Sequence, residues 1–353
     1  MKVHNFSAGP AILPQEVFAQ AAEAVRDLNG MGLSILEISH RSAEFVAILE
    51  EAESLVRELL GVGDDFAVLF LTGGASSQFY MAPMNLLNAD QAAGYVDTGS
   101  WSTKAIKEAQ NFGQVQVVAS SKDANFNYIP EGYEVPTGLR YLHMTSNNTI
   151  FGTQQQEFPT IDAPIVCDMS SDIFSRPLNL DKFGLIYAGA QKNIGPAGVS
   201  LVIVRKDLLG QVDRTIPTML NYETHIAKSS SFNTPPVYPI FVAMLTLRWV
   251  KAMGGVAAME KRNSEKAALL YQEIDSNPHF QGTVANAESR SKMNVTFVPT
   301  DENDTAAFLE ACTAANISGI KGHRSVGGFR ASIYNSMEKS SVEALIEVMR
   351  GFK

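Results

Sequence analysis

Apolar positions along the chain follow two periods, one typical of helices and one typical of buried strands. From Ser42 to Leu60 they recur at helical spacing, with Ser42 suited to the N-cap and Gly61 to the terminating position. A shorter helix is predicted over Pro14–Leu28, with Pro14 in its first turn. The same pattern predicts helices over Ser77–Leu87, Ser102–Ala109, Thr305–Ala315 and Val342–Met349, and a largely helical segment over Pro235–Met259.

Short runs that are apolar without alternation predict strands between these helices. The runs are Phe66–Leu71, Ala93–Val96, Val115–Val118, Leu139–His143, Ile165–Cys167, Leu185–Ala188 and Leu201–Val204. Such strands are buried on both faces, so with helical crossovers they predict a mainly parallel α/β sheet. Strands near Met293–Val298 and Phe329–Ile333 belong to a smaller C-terminal α/β domain, with a boundary around 245–265.

Length and charge narrow the class of protein. A chain of 353 residues is long enough for two domains, and 45% hydrophobic with 18% charged residues is typical of a soluble globular protein. A net charge of −9 argues against a nucleic-acid or acidic-membrane partner. The start of the chain lacks the apolar core of a secretion signal, and no stretch reaches membrane-spanning length. Because Cys167 and Cys312 form neither a disulfide framework nor a metal motif, we expect a cytoplasmic protein without a metal.

The strongest candidate for chemistry is Lys192, in the stretch Ile186-Tyr-Ala-Gly-Ala-Gln-Lys-Asn-Ile-Gly-Pro-Ala-Gly-Val199. It follows an apolar run and stands in a turn framed by glycine and proline. A lysine in such a setting has a lowered pKa and a nucleophilic amine, which can form a Schiff base with an aldehyde such as pyridoxal phosphate (PLP). The alternative is an ordinary surface lysine after a strand.

Two further strand ends supply possible partners for Lys192. Leu71-Thr-Gly-Gly-Ala-Ser-Ser-Gln78 joins a strand to a helix, where glycines and free N–H groups suit a phosphate, although a plain turn remains open. Asp168 closes the strand Ile165-Val-Cys-Asp168 and therefore faces the side on which parallel sheets bind ligands. An aspartate there could pair with a pyridinium nitrogen, or it could cap local N–H groups.

Aromatic, hydroxyl and cationic side chains add weaker signals. Trp101 could stack on a planar ring or fill a core, and Thr149 could bind a cofactor or its own loop. Arginine suits bidentate binding of carboxylate or phosphate, and cations in both halves of an acidic chain suggest a substrate with two anionic ends. Solvated surface charge is the alternative for these residues, which are His40, Arg41, His323, Arg324 and Arg330.

Taken together, these residues resemble the phosphoserine aminotransferases, which belong to the class V, PLP-dependent aminotransferases of fold type I. The resemblance runs nearly end to end. The segments that carry it are Asn5-Phe-Ser-Ala-Gly-Pro10, Ser39-His-Arg-Ser42, Ala190-Gln-Lys-Asn-Ile-Gly-Pro196, Ser231-Phe-Asn-Thr-Pro-Pro236 and Gly322-His-Arg-Ser-Val-Gly-Gly-Phe-Arg-Ala-Ser-Ile-Tyr-Asn335. It implies a large PLP-binding domain over 15–255 and a small domain made of 1–14 and 256–353.

The resemblance also implies a role for each matching residue. Lys192 would hold the cofactor as an internal aldimine and then move the proton, and Asp168 would pair with the pyridine nitrogen. Trp101 would stack on the ring, and Arg330 would hold the substrate α-carboxylate. The implied contacts to the cofactor phosphate and polar groups are Ala75, Ser76, Gln191, Thr149 and, from the other subunit of a homodimer, Asn233 and Thr234. The implied receivers of the substrate's distal phosphate or carboxylate are His40, Arg41, His323 and Arg324.

The implied reaction converts O-phospho-L-serine and 2-oxoglutarate reversibly to 3-phosphohydroxypyruvate and L-glutamate, as a step of serine biosynthesis. It runs ping-pong through the pyridoxamine form of the cofactor. One departure stands at Gly73-Gly-Ala-Ser-Ser-Gln78, where many bacterial members carry Gly-Gly-Gly-Arg-Gly-Gln. That departure leaves the substrate affinity open, together with a second substrate, 4-phosphohydroxy-L-threonine.

Several other functions compete with this one. A cysteine desulfurase needs an accessible thiol, which the apolar settings of Cys167 and Cys312 disfavour. An alanine–glyoxylate or serine–pyruvate transaminase would not need so many cationic groups. A dinucleotide-dependent oxidoreductase lacks its glycine fingerprint here. A non-enzymatic PLP carrier is also conceivable, but nothing in the chain resembles an added DNA-binding module.

Overall fold

The computed structural model describes residues 2–352. Its α-helices are α1 (Gln15–Arg26), α2 (Ala43–Leu60), α3 (Gly74–Leu86), α4 (Ser100–Ala109), α5 (Tyr222–Ile226), α6 (Val237–Ala252), α7 (Gly255–Ser276), α8 (Asp304–Ala314) and α9 (Lys339–Gly351). Its strands are β1 (His4–Asn5), β2 (Phe66–Leu71), β3 (Ala92–Asp97), β4 (Gln114–Ser120), β5 (Leu142–Thr145), β6 (Asn147–Asn148), β7 (Thr153–Gln154), β8 (Ile165–Asp168), β9 (Phe183–Gly189), β10 (Ser200–Arg205), β11 (Phe280–Gly282), β12 (Asn294–Pro299), β13 (Ile317–Ser318) and β14 (Phe329–Ser332).

A seven-stranded sheet forms the centre of the molecule, in the order β2-β10-β9-β8-β5-β3-β4. All of its strands run parallel except β10, which is antiparallel to both β2 and β9. Helices α1, α2 and α6 pack on one face, and α3, α4 and α5 pack on the other. The predicted mainly parallel α/β fold is confirmed. Because the parallel strands end at one edge of the sheet, that edge collects the loops that carry the candidate chemistry.

The C-terminal part builds a second, smaller core. Strands β11, β12 and β14 form an antiparallel sheet, against which α7, α8 and α9 pack. The N-terminal strand β1 pairs in parallel with β13, with His4 opposite Ile317, and Phe6 is buried in the same core. Residues 4–6 therefore pack with the C-terminal part of the chain.

The helix over 42–60 forms as its local sequence predicts. The hydroxyl of Ser42 accepts a hydrogen bond from the N–H of Phe45 at 3.4 Å, which satisfies one of the free donors of the first turn. Gly61 ends the helix in the left-handed conformation, with φ of 69°.

The largely helical segment predicted over 235–259 is confirmed, as two helices, because α6 ends at Ala252 and the longer α7 begins at Gly255 after a bend of 81°. Three details differ from the sequence-based expectations. Helix α3 begins three residues earlier than predicted, directly after Gly73. The strand predicted at 139–143 forms a regular ladder only from Leu142. Strand β4 is not buried on both faces, since it is the sheet's last strand and leaves Val117 half exposed.

Among residues 2–352, no single helix is long and apolar enough to cross a membrane. The bent pair α6 and α7 meets the length and composition criteria only when its two helices are taken together.

Candidate active site

A cavity of about 590 Å³ opens at the carboxyl edge of the central sheet. It lies where β2, β3, β5, β8 and β9 end, beside the segment that precedes β14. The predicted site residues that line it are Ala75, Ser76, Trp101, Thr149, Asp168, Gln191, Lys192, His323, Arg324 and Arg330. Other recesses of about 700 and 760 Å³ exist, but neither contains these residues.

Lys192 is held in the turn between β9 and β10. The turn is closed by backbone bonds from Ala190 to Val199 at 3.0 Å and from Gly195 to Ala190 at 2.8 Å. A Cβ at Gly195 would lie 3.2 Å from the backbone of Ala243 in α6, so a glycine there lets the turn pack closely against that helix.

The side chain of Lys192 is buried, and its Nζ donates a 2.6 Å hydrogen bond to Oγ1 of Thr149. Burial, opposed by the charge of Asp168 and reinforced by that of Arg330, lowers the pKa of this amine to about 8. A substantial fraction of Lys192 is therefore a neutral nucleophile near physiological pH.

Asp168 ends β8, between Thr145 of β5 and Tyr187 of β9. Its Oδ1 accepts a 2.9 Å hydrogen bond from the N–H of Ser170. Burial raises the pKa of the carboxyl, against the opposing effects of Ser170 and Lys192. A buried carboxylate of this kind gains a strong interaction from any cationic N–H placed in the cavity.

The beginning of α3 faces the cavity with its backbone N–H groups. Gly73 and Gly74 both have positive φ, 97° and 70°, which turns the chain sharply from β2 into the helix. No acidic side chain lies in the first turn, and no side chain caps it. Free N–H groups and the positive end of the helix dipole are features that suit an anion at Ala75 and Ser76.

Thr149 connects Lys192 and Arg330. Its hydroxyl accepts from Lys192, and its carbonyl oxygen accepts from Nη1 of Arg330 at 3.3 Å. The Nε of Arg330 is buried and has no partner in the described part of the chain, and burial lowers the pKa of the guanidinium. Arg330 therefore keeps donors available for a carboxylate.

Four predicted residues do not line this cavity. His40 is half buried and Arg41 is exposed, in the loop before α2. Asn233 lines a separate recess of about 140 Å³ together with Gly73 and Ser77, and Thr234 is exposed. Within one chain, then, the structure brings ten of the candidate residues into one cavity and leaves His40, Arg41, Asn233 and Thr234 outside it.

The lining also contains residues that sequence reasoning did not assign to the site, and two of them, Thr145 and Lys104, bear on its chemistry. Thr145 is buried opposite Asp168, and its hydroxyl has no hydrogen-bond partner among residues 2–352. Lys104 lies three residues after Trp101, with its ammonium 4.6 Å from the centre of the indole ring. The three-residue spacing from Trp101, just before the predicted helix, was the available signal for Lys104, whereas nothing local distinguishes Thr145.

Comparison with known proteins fits this geometry. Residues 3–345 match the family model for class V aminotransferases. The chain is 58% identical to the phosphoserine aminotransferase of Flavobacterium johnsoniae, over 100% of this chain and 99% of that protein. A solved phosphoserine aminotransferase from Bacillus circulans subsp. alkalophilus has a TM-score of 0.96 at 45% identity, covering 99% of this chain and 98% of that one. A PLP-bound phosphoserine aminotransferase from Trichomonas vaginalis has a TM-score of 0.94 at 38% identity, covering 99% and 100%. The chain belongs to the class V aminotransferase family.

Proposed function

We propose that this chain is a PLP-dependent phosphoserine aminotransferase. It transfers the amino group of O-phospho-L-serine to 2-oxoglutarate and yields 3-phosphohydroxypyruvate and L-glutamate, reversibly, in serine biosynthesis. The observation that carries the proposal is the buried Lys192 in one cavity with Asp168, the α3 N-terminus and a group of unpaired cations. Full-length identity of 58% to a phosphoserine aminotransferase supports the same substrate.

The donor set of the cavity fits PLP. Lys192 has the lowered pKa that bonding to an aldehyde requires, and Asp168 is a buried carboxylate for the pyridine nitrogen. The α3 turn with Ala75 and Ser76 suits the phosphate, with Gln191 and Thr149 as further polar contacts. When bound, PLP supplies an aldehyde carbon that accepts the amino group and a ring that takes up the electron pair from the substrate Cα.

Each residue of the site has its own role in this reaction. Lys192 would hold the cofactor through its amine and would move the proton from the substrate Cα. Asp168 would keep the pyridine nitrogen protonated, and Trp101 would cover the ring. Arg330 binds the α-carboxylate and so orients the Cα–H bond toward Lys192. His323 and Arg324 bind the distal phosphate or carboxylate in the two half-reactions.

We infer that two chains share each active site. His40, Arg41, Asn233 and Thr234 lie outside the cavity of their own chain, as expected if they serve the partner's site. Large exposed apolar side chains precede these residues in the chain, namely Met31, Leu33 and Leu36 in the segment before His40, and Phe232 next to Asn233. A second copy covering them would bury that surface and bring the cations to the substrate.

The domain division and the location of the protein are part of the same proposal. The pairing of β1 with β13 supports a division into a large domain over 15–255 and a small one made of 1–14 and 256–353. A cytoplasmic location is supported by Cys167 and Cys312, which are both buried free thiols.

The direct test is the absorption spectrum of the purified protein. We expect a visible cofactor band that collapses on addition of O-phospho-L-serine and returns with 2-oxoglutarate. Lys192→Ala should bind PLP without the covalent linkage and fail to turn over. A band that ignores phosphoserine but responds to another amino acid would contradict the substrate, and the absence of any band after adding PLP would contradict the cofactor.

Shared sites can be tested by mixing two inactive variants. Lys192→Ala and Arg41→Ala lose complementary parts of one site, so a mixed dimer contains one intact site and one that lacks both residues. Random exchange of chains should restore about a quarter of the wild-type activity. No recovery, with exchange verified by mass spectrometry, would show that each chain builds its site alone.

A further inference from the structure

Lys104 is a cation in the cavity to which the reaction described above gives no role. It lies in α4, lines the cavity together with His323 and Arg324, and is near enough to His323 to lower the pKa of that imidazole. Its ammonium sits over the face of Trp101, 4.6 Å from the ring centre, and the side chain is exposed. No carboxylate among residues 2–352 lies within ion-pair distance of it, including Glu108 one turn later on the same helix.

Positive charge at this end of the cavity is not compensated. Among residues 2–352, Asp168 is the only acidic residue of the lining, and both it and Lys192 are buried. The pKa of His323 is lowered by partial burial and then by Arg330, Arg324 and Lys104, so three cations act on one imidazole. An anion is the ligand that relieves such repulsion.

The contact of Lys104 with Trp101 is weak enough to be exchanged. An exposed cation–π contact is weaker than a charge-assisted hydrogen bond to a phosphate oxygen. The lysine stem is long and flexible, and its ammonium carries three donors that can turn toward an anion. The indole therefore keeps the ammonium beside the cavity, and a phosphate can replace it as the partner of Lys104.

We propose that Lys104 binds the distal phosphate of the substrate from the same chain and favours the phosphate ester over the carboxylate of glutamate. The inference rests on the proposed function and adds a specificity-determining residue to it. A phosphate monoester is close to a dianion at neutral pH, whereas a carboxylate is a monoanion. At equal distance the ammonium attracts the former about twice as strongly, so its removal affects the two half-reactions unequally.

The test uses the PLP-loaded enzyme and follows the cofactor band in each half-reaction separately. Lys104→Gln should lower kcat/KM for phosphoserine about tenfold or more and that for glutamate no more than about threefold. Lys104→Arg should retain most of the discrimination. Lys107→Gln removes an exposed cation of the same helix that does not line the cavity, and it should leave both values unchanged.

A second measurement reports on the position of Lys104 without substrate. The pKa of His323, followed by NMR, should rise in Lys104→Gln because a nearby positive charge is lost. It should stay at the wild-type value in Lys107→Gln.

The outcomes distinguish a failure of the role of Lys104 from a failure of the proposed function. A wild-type enzyme that reacts with phosphoserine, together with equal losses or no loss in Lys104→Gln, would overturn only the role of Lys104. A wild-type enzyme that does not react with phosphoserine would overturn the proposed function and this role with it.

Discussion

The ammonium of Lys192 and the hydroxyl of Thr149 are joined by a hydrogen bond of 2.6 Å across 43 residues of sequence. Thr149 also accepts from Arg330 through its carbonyl, so one residue fixes the distance between the nucleophile and the candidate carboxylate-binding arginine. This relationship makes Thr149 a positioning residue as well as a candidate contact of the cofactor.

Replacing Thr149 should therefore show whether activity depends on its hydroxyl acceptor or only on the size of its side chain. Thr149→Val keeps the shape but removes the acceptor for Lys192, and we expect kcat to fall about tenfold or more. Thr149→Ser keeps the hydroxyl and should stay within about threefold of wild type. Steady-state kinetics with both substrates checks this, and equal activity of the two variants would contradict it.

The lowered pKa of Lys192 predicts a pH-dependent contribution to stability in the cofactor-free protein. The folded-state pKa is about 8, whereas the ordinary value is 10.5. Between these values the unfolded chain binds the extra proton, so the free energy of unfolding rises with pH through this residue. Between pH 7 and pH 10, the free energy of unfolding measured with urea should rise by about 2 kcal/mol more in the wild type than in Lys192→Met. An identical pH dependence in the two proteins would contradict the lowered pKa.

Asp168→Asn should reduce activity and change the amine of Lys192. Turnover is expected to fall about 100-fold or more, because a neutral amide no longer keeps a ring nitrogen protonated. In the cofactor-free protein the pKa of Lys192 should drop below about 8, since the carboxylate raises it. The pH dependence of Lys192 acetylation, read by mass spectrometry, measures this. Asp168→Glu keeps the charge and is the control, and an unchanged Lys192 in Asp168→Asn would show that the two groups are not coupled.

A buried ion pair supports the loop that carries Thr149. Arg176 contacts Asp172 at 3.3 Å and donates to the carbonyl oxygens of Gln155 and Gln156, while Asp172 also accepts from Ser146. Arg176→Met should lower the free energy of unfolding by about 3 kcal/mol, because the carboxylate remains buried without its cation.

Two controls make that measurement specific. Arg248→Met breaks a half-exposed pair with Glu51 and should cost about 0–1 kcal/mol. Adding Asp172→Asn to Arg176→Met should cost less than the sum of the two single changes. Additive losses would show that the pair is not coupled.

The turn before α3 predicts a linked effect on stability and cofactor binding. A Cβ at Gly73 would lie 2.9 Å from the side chain of Ser77, and φ is 97° there. Gly73→Ala should cost about 1–2 kcal/mol and weaken PLP binding, because the N–H groups of the first turn shift. Gly61 also has a positive φ, but a Cβ there would have no neighbouring atom within 4 Å. Gly61→Ala should therefore lose stability while keeping its affinity for PLP. Similar affinities in both variants would contradict a role of the turn in binding.

Local sequence determined the parts of this protein that depend on neighbouring residues. The Ser42 cap, the Gly61 terminator and the burial of Ile165–Asp168 follow from short-range geometry and from continuous apolar runs. Asp168 and Lys192 could be assigned to one edge because parallel strands end on the same side of a sheet. The family resemblance then supplied candidate roles that spacing alone left open.

Tertiary structure decided what depends on residues far apart in the chain. The antiparallel direction of β10 is set by pairing with β2 and β9, and the exposure of β4 follows from its place at the end of the sheet. Three features arise only when separate strands and helices meet. They are the hydrogen bond from Lys192 to Thr149, the hydroxyl of Thr145 that has no partner among residues 2–352 beside Asp168, and the ammonium of Lys104 that has no ion pair there near His323. Local periodicity reports which face of an element is buried. It carries no information about which distant side chain lies opposite, because that is determined by the packing of the whole chain.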